Sequence, residues 1–137
     1  MDERPQFDSR FLVGIEQVDL EHRQLFEIAG RVYDGLAAGN DALIAATRAA
    51  IAELLDYTAT HFASEEALME AAGYPGLEAH RALHRHLLRQ ARDMEMRAES
   101  GEQYVPVELS HFIYNWLVDH ILANDRKFGE FVTAQKK

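Results

Sequence analysis

Four stretches of this chain repeat apolar residues three and four positions apart, and each apolar row has polar side chains set into it. The first row runs His22, Leu25, Ala29, Val32, Leu36. The second runs Ile44, Thr47, Ile51, Leu54, Thr58, His61, Glu65, Leu68, Ala72. The third is Leu77, His80, His84, Leu87, Ala91, Met94, Ala98, and the fourth is Leu109, Ile113, Trp116, Leu117, His120, Ile121, Asp125, Phe128, Val132. This spacing gathers each row on one face of a helix. The punctuation agrees. Asp19 is the expected N-cap of the first helix and Gly39 its end; Asn40 or Asp41 caps the second, which stops at Gly73. Tyr74-Pro75-Gly76 forms a turn, Gly101 closes the third helix, and Pro106 suits the first turn of the fourth. Long helices with short connections predict an all-α fold, an up-down-up-down antiparallel four-helix bundle over residues 19–134. Residues 1–18, with Pro5, Phe7, Phe11 and Gly14, form an N-terminal arm suited to packing over a bundle end. The 137 residues make one domain, enough to bury a core.

The polar intrusions carry the functional information. An unpaired polar group in an apolar surrounding costs roughly 2–7 kcal/mol, and a charge costs more. His22, His61, Glu65, His80, His84 and His120 lie on the inward rows of four different helices, so they must satisfy one another or share a ligand. His61 with Glu65, and His80 with His84, stand one helical turn apart, which sets two donors over one patch of the interior. Two histidines fall off the rows. His86 lies about 200° round from His84 and is expected in solvent, and His111 sits between Leu109 and Ile113 as a surface residue or an interhelical polar contact. Thr58 is expected to be core. Glu66 and Asp119 flank the rows as solvated charges or as partners of the inward groups.

The fourth row contains Trp116-Leu-Val-Asp-His-Ile-Leu-Ala-Asn-Asp125, with His120 and Asp125 five residues apart. In an α-helix that leaves them about 140° apart. They can approach one centre from either flank of the inward face, about 70° to each side. A local widening of the helix is the alternative.

Composition narrows the chemistry. With no cysteine, zinc knuckles, iron–sulfur clusters and disulfide scaffolds are excluded, leaving His, Asp and Glu as metal ligands. Five imidazoles exceed one tetrahedral zinc, and oxygen donors are too few for calcium or magnesium. Five imidazoles and two carboxylates suit two redox-capable ions bridged by the carboxylates, and imidazole suits iron. A net charge of −9 gives no basic face for nucleic acid or anionic membrane. The acidic start resembles no signal peptide, and the most apolar segment, residues 42–55, is broken by Arg48 and Glu53. A cytoplasmic protein without membrane insertion is expected.

The sequence resembles the hemerythrins, specifically the stand-alone bacterial ones, over nearly its whole length. The matching segments are Val13 to His22, His61-Phe-Ala-Ser-Glu65, His80-Arg-Ala-Leu-His84, and Trp116-Leu-Val-Asp-His120 with Asp125. The resemblance implies a non-haem di-iron centre: His80, His84 and His120 on one iron, His22 and His61 on the other, and Glu65, Asp125 and an oxo or hydroxo group bridging. It implies reversible dioxygen binding at the iron with two histidines, for storage, transport or delivery, with an oxygen-using enzyme as candidate recipient and the chain a monomer. Leu117 matches the apolar residue lining the oxygen pocket, and Trp116 an aromatic beside it. Where the family has a tryptophan in the arm, this chain offers Phe7 or Phe11.

A ferritin-like oxidase needs Glu-x-x-His on two helices. The residues three before the five inward histidines are Asp19, Thr58, Leu77, Arg81 and Leu117, none a glutamate. The one Glu-x-x-His, Glu108 with His111, lies off the inward row. A hemerythrin-like site could also reduce peroxide or nitric oxide, or report oxygen or iron to a separate partner. The mostly neutral imidazole donors and an apolar pocket favour binding over onward oxidation, so no catalytic residue is expected.

Overall fold

The computed structural model describes residues 4–38, 44–99 and 111–135. The side chains of Leu36, Ile44, Thr47 and Ala98, and positions Gly39, Asn40, Asp41, Gly101, Pro106, Glu108 and Leu109, lie outside the described residues, so the expectations placed on them have no structural counterpart here. A single 3-10 turn at Ser9–Phe11 precedes α1 (Glu16–Ala38), α2 (Ile44–Ala72) and α3 (Leu77–Glu99). The last helix, α4, spans residues 111–135. No strand occurs among the described residues. The architecture is the expected all-α four-helix bundle.

The core follows the apolar rows. Leu25, Ala29 and Val32 of α1, Ile51 and Leu54 of α2, and Ile113, Trp116, Leu117 and Ile121 of α4 are all buried. Near the end of α2 the row shifts by one position: Met69 is fully buried while Leu68 is half-buried. Helix α3 differs from the others. Its described apolar residues Leu87, Leu88, Ala91 and Met94 are only half-buried, and its fully buried side chains are His80 and His84.

Helix ends place the rows. Gly73, at φ +68°, ends α2 in the left-handed conformation open to glycine, with Gly73 N–H bonded to Glu70 C=O and Tyr74 N–H to Met69 C=O. Tyr74 packs on Phe128 and Phe131 with ring centroids 5.1 and 5.2 Å away, tying the α2–α3 turn to α4. At the other terminus the expectation for Asp19 needs correction. Helix α1 begins at Glu16, and Asp19 lies inside its first turn. Its carboxylate reaches back to accept from Val13 N–H at 2.8 Å and Gly14 N–H at 3.3 Å, so it anchors the arm instead of capping the helix.

The arm packs through aromatics. Phe11 is buried, and its ring lies 4.8 Å from Phe26 of α1, with Phe7 edge-on to Phe26 at 5.6 Å. The arm backbone also meets α4. A Cβ on Gly129 would run into the Val13 carbonyl oxygen, so only glycine permits this approach.

Within α4 the hydrogen bonding changes. Trp116–Asp125 is π-helical, with Arg126 N–H bonded to Ile121 C=O, before the α-helix resumes at Arg126–Gln135. The favoured reading, an α-helix with His120 and Asp125 on opposite flanks, is therefore replaced by the alternative of a widened helix. In a π-turn the bond closes over five residues, so His120 and Asp125 stack as residues four apart do in an α-helix. The backbone brings the two groups to one side.

Candidate metal centre

His22 from α1, His61 and Glu65 from α2, His80 and His84 from α3, and His120 and Asp125 from α4 meet inside the bundle, each at most 6% exposed. The fold explains why they share one level. The groups lie near the start of α1 and α3, in the later part of α2 and about midway along the described part of α4, so the antiparallel helices bring them to one level.

The two carboxylates divide the histidines. Glu65 Oε1 lies 2.8 Å from His80 Nε2 and 3.4 Å from His84 Nε2, whereas Oε2 lies 3.6 Å from His61 Nε2 and 3.8 Å from His22 Nε2. Asp125 does the same: Oδ1 is 2.9 Å from His80 Nε2 and 3.0 Å from His120 Nε2, and Oδ2 is 2.9 Å from His22 Nε2. The donors form two overlapping groups, Glu65–His80–His84–His120–Asp125 and His22–His61–Glu65–Asp125, each with its ligand atoms within 4.8 Å of one another. Each carboxylate thus offers one oxygen to each group.

Several of these atoms have no hydrogen-bond partner: both Glu65 oxygens, Asp125 Oδ2, and Nε2 of His22, His84 and His120. Buried polar atoms left unpaired in such number cost several kcal/mol each, roughly 2–7. Cations seated among them would satisfy them, so the donor set fits two metal ions.

Electrostatics follow from the crowding. Burial opposes a charge on His80, but the hydrogen bond to Asp125 and the adjacent Glu65 carboxylate outweigh it and push the imidazole up to about 9. Burial also pushes Asp125 upward, yet His120, His22 and His80 hold its carboxyl well below the usual range. Burial and the Asp125 charge raise Glu65, and the nearby imidazoles of His80, His84 and His61 bring it below its ordinary value. Without metal, a proton on His80 acts as the counter-cation.

Outside the donor set, two imidazoles are held from behind. His61 Nδ1 donates to Glu21 Oε1 at 2.6 Å and His84 Nδ1 to Glu66 Oε2 at 2.8 Å. A carboxylate only accepts, so each Nδ1 carries the hydrogen and Nε2 keeps its lone pair for the centre. Glu66, left open between solvated charge and partner, is such a partner; Asp119 is exposed. Glu21 was not singled out from sequence, although its place beside His22 and one turn from Gln17 was a usable signal. Phe62 was also missed. It stacks on His84 at 3.7 Å with planes 1° apart and lies 5.9 Å from both His61 and His120, covering donors of both groups.

Leu117 is buried at 1% exposure, and Trp116 stands edge-on to Phe62 at 6.0 Å. Thr58 is core, as expected, lining an apolar cavity of about 20 Å³ with Ile51, Leu54 and Trp116. His86 and His111 are exposed, away from the cluster.

Bundle and centre together define a cation-binding helical domain. Residues 13–132 match the family described as the hemerythrin HHE cation binding domain. The chain belongs to the hemerythrin family. It is 34% identical over 122 residues to a bacteriohemerythrin of Stenotrophomonas maltophilia, covering 89% of this chain and 77% of the relative. A bacteriohemerythrin of Methylococcus capsulatus is 31% identical, covering 92% and 94% of the two chains. A myohemerythrin of Phascolopsis gouldii is 31% identical, covering 89% of each. A crystal structure of a hemerythrin mutant superposes with a TM-score of 0.77 at 28% identity, covering 88% of this chain and 89% of the other. The family binds a di-iron centre, and the seven-residue cluster could hold one. No helix among the described residues is long and apolar enough to cross a membrane.

Proposed function

We propose that this protein binds dioxygen reversibly at a non-haem di-iron centre, to store, transport or deliver it. His80, His84 and His120 would hold one iron, His22 and His61 would hold the other, and Glu65 and Asp125 would each serve both. The observation that supports this reading is the division of the carboxylates, each with one oxygen toward the three-histidine group and one toward the two-histidine group. The irons, when bound, supply reversible two-electron exchange with dioxygen. The chain's own residues do the rest. The two-histidine half has one protein donor fewer, which leaves room there for an external ligand. Phe62 and Leu117 keep the surroundings apolar and exclude water, and no further acid in the cluster is placed to drive O–O cleavage. Binding is favoured over turnover.

The test is metal content together with the visible spectrum through anaerobic reduction and re-aeration. Two irons per chain and a colour that returns with oxygen are expected. A colourless protein with one zinc would sink the proposal.

A further inference from the structure

His61 and His84 are the two candidate ligands whose Nδ1 meets a carboxylate, and they belong to different halves of the centre. Their carboxylates are similarly exposed, 18% for Glu21 and 23% for Glu66, so solvent screening does not separate them. Their surroundings do. Glu66 Oε1 lies 3.4 Å from Nε of Arg81, whose guanidinium also reaches Glu70 at 3.6 Å and Glu78 at 2.6 Å. The charge on Glu66 is shared with a cation. Glu21 Oε2 instead accepts from Ser64 Oγ at 2.9 Å and Gln17 Nε2 at 3.1 Å, and Gln17 also donates to Ser64 Oγ at 2.8 Å. Among the described residues these neutral donors and His61 itself are its hydrogen-bond partners, so the network orients Glu21 without compensating its charge.

A carboxylate behind a metal-binding imidazole fixes the ring and makes Nε2 a stronger donor. An uncompensated carboxylate does so more than one paired with arginine. We propose that Glu21 is a positioning residue that strengthens His61 as the donor of the two-histidine half, while Arg81 attenuates Glu66 behind His84. The half that lacks a third imidazole thereby receives the more strongly backed one, and the two metals are made unequal by charges outside the donor set. This inference rests on reading the cluster as a two-metal centre.

Cobalt(II) added to the iron-free full-length chain tests it, followed by titration calorimetry and visible absorption, with the midpoint potential of the iron-loaded protein as a second measurement. Glu21→Gln keeps an acceptor oxygen for His61 Nδ1–H, removes the charge, and puts an amide nitrogen in place of the Oε2 that accepts from Ser64 and Gln17. It is expected to weaken the weaker-bound cobalt about 10–100-fold and to raise the midpoint potential. Glu66→Gln is expected to do less on both measures. Arg81→Gln, at a residue whose ion pairs among the described residues are with Glu66, Glu70 and Glu78 and not with a candidate ligand, should free Glu66, tightening cobalt binding and lowering the potential. Equal effects of Glu21→Gln and Glu66→Gln, or a larger effect of Glu66→Gln, overturn the proposal. Should Glu21→Gln fail to fold, Arg81→Gln decides alone, and unchanged affinity and potential overturn it. A wild-type chain that takes only one cobalt refutes the two-metal reading itself.

Discussion

A histidine nitrogen buried between two carboxylates can be satisfied by a proton or by a metal ion, and His80 illustrates both. In the metal-free chain its pKa is pushed up to about 9, against an unfolded value near 6.5. Folding therefore favours the protonated ring. That contribution is fully present below about pH 6.5 and is lost as pH rises through about 9. In the metal-loaded chain the same nitrogen is occupied, and protons compete with the metal as pH falls. The two forms should respond to pH in opposite directions. Thermal unfolding is expected to show the metal-free protein losing stability between pH 7 and 9.5 while the loaded protein does not. Calorimetry in buffers of different ionisation enthalpy should show a proton released on metal binding at pH 7. A metal-free protein whose stability is flat across that range would contradict the assignment.

At the scale of elements, α3 and α4 depend on the centre in different ways. Helix α3 buries no described apolar side chain fully; His80 and His84 are its deepest contacts. Its docking should therefore be the part of the bundle most sensitive to metal. Hydrogen exchange is expected to quicken in α3 on iron removal far more than in the buried apolar stretch of α1 around Leu25 to Val32. Uniform acceleration across all helices would count against this. Helix α4 meets the centre through its π-turn, which aligns His120 with Asp125. Moving the carboxylate by the paired change Asn124→Asp with Asp125→Asn should cost the chain at least one of its two irons. Undiminished iron content would show that the five-residue spacing has no role.

For the whole molecule, the arm and the metal ions act as separate fastenings. The arm is held by the Asp19 carboxylate, the Phe7–Phe11–Phe26 cluster and the contact of Val13 with Gly129. Gly129→Ala sets a methyl group against the Val13 carbonyl and should destabilise the protein by about 1–3 kcal/mol, the usual cost of overpacking. None of those groups is a candidate ligand, so iron content should be retained. Denaturant unfolding and metal analysis of the variant would show both; unaltered stability would mean that the arm moves aside freely. Metal binding acts on the other end of the stability scale, because five buried side chains of the cluster, His22, Glu65, His84, His120 and Asp125, keep unpaired polar atoms together when it is absent.

Much of this was legible in the sequence. The apolar rows fixed the four helices, and the histidines and carboxylates within them marked all seven residues that the fold gathers, because a three-to-four spacing states directly which side of a helix a residue occupies. Sequence spacing could not choose between an α-helix viewed from two flanks and a π-turn, since both bring His120 and Asp125 to one centre and only the backbone hydrogen bonds separate them. It marked Glu21 only by its place beside His22 and one turn from Gln17, and it could not find Phe62 or Gly129, whose roles arise from contacts between residues far apart in the chain. The sequence by itself determined which groups face inward. The tertiary structure decided which oxygen of each carboxylate meets which histidines, and which charges stand behind them, because those relations are set by how neighbouring helices pack.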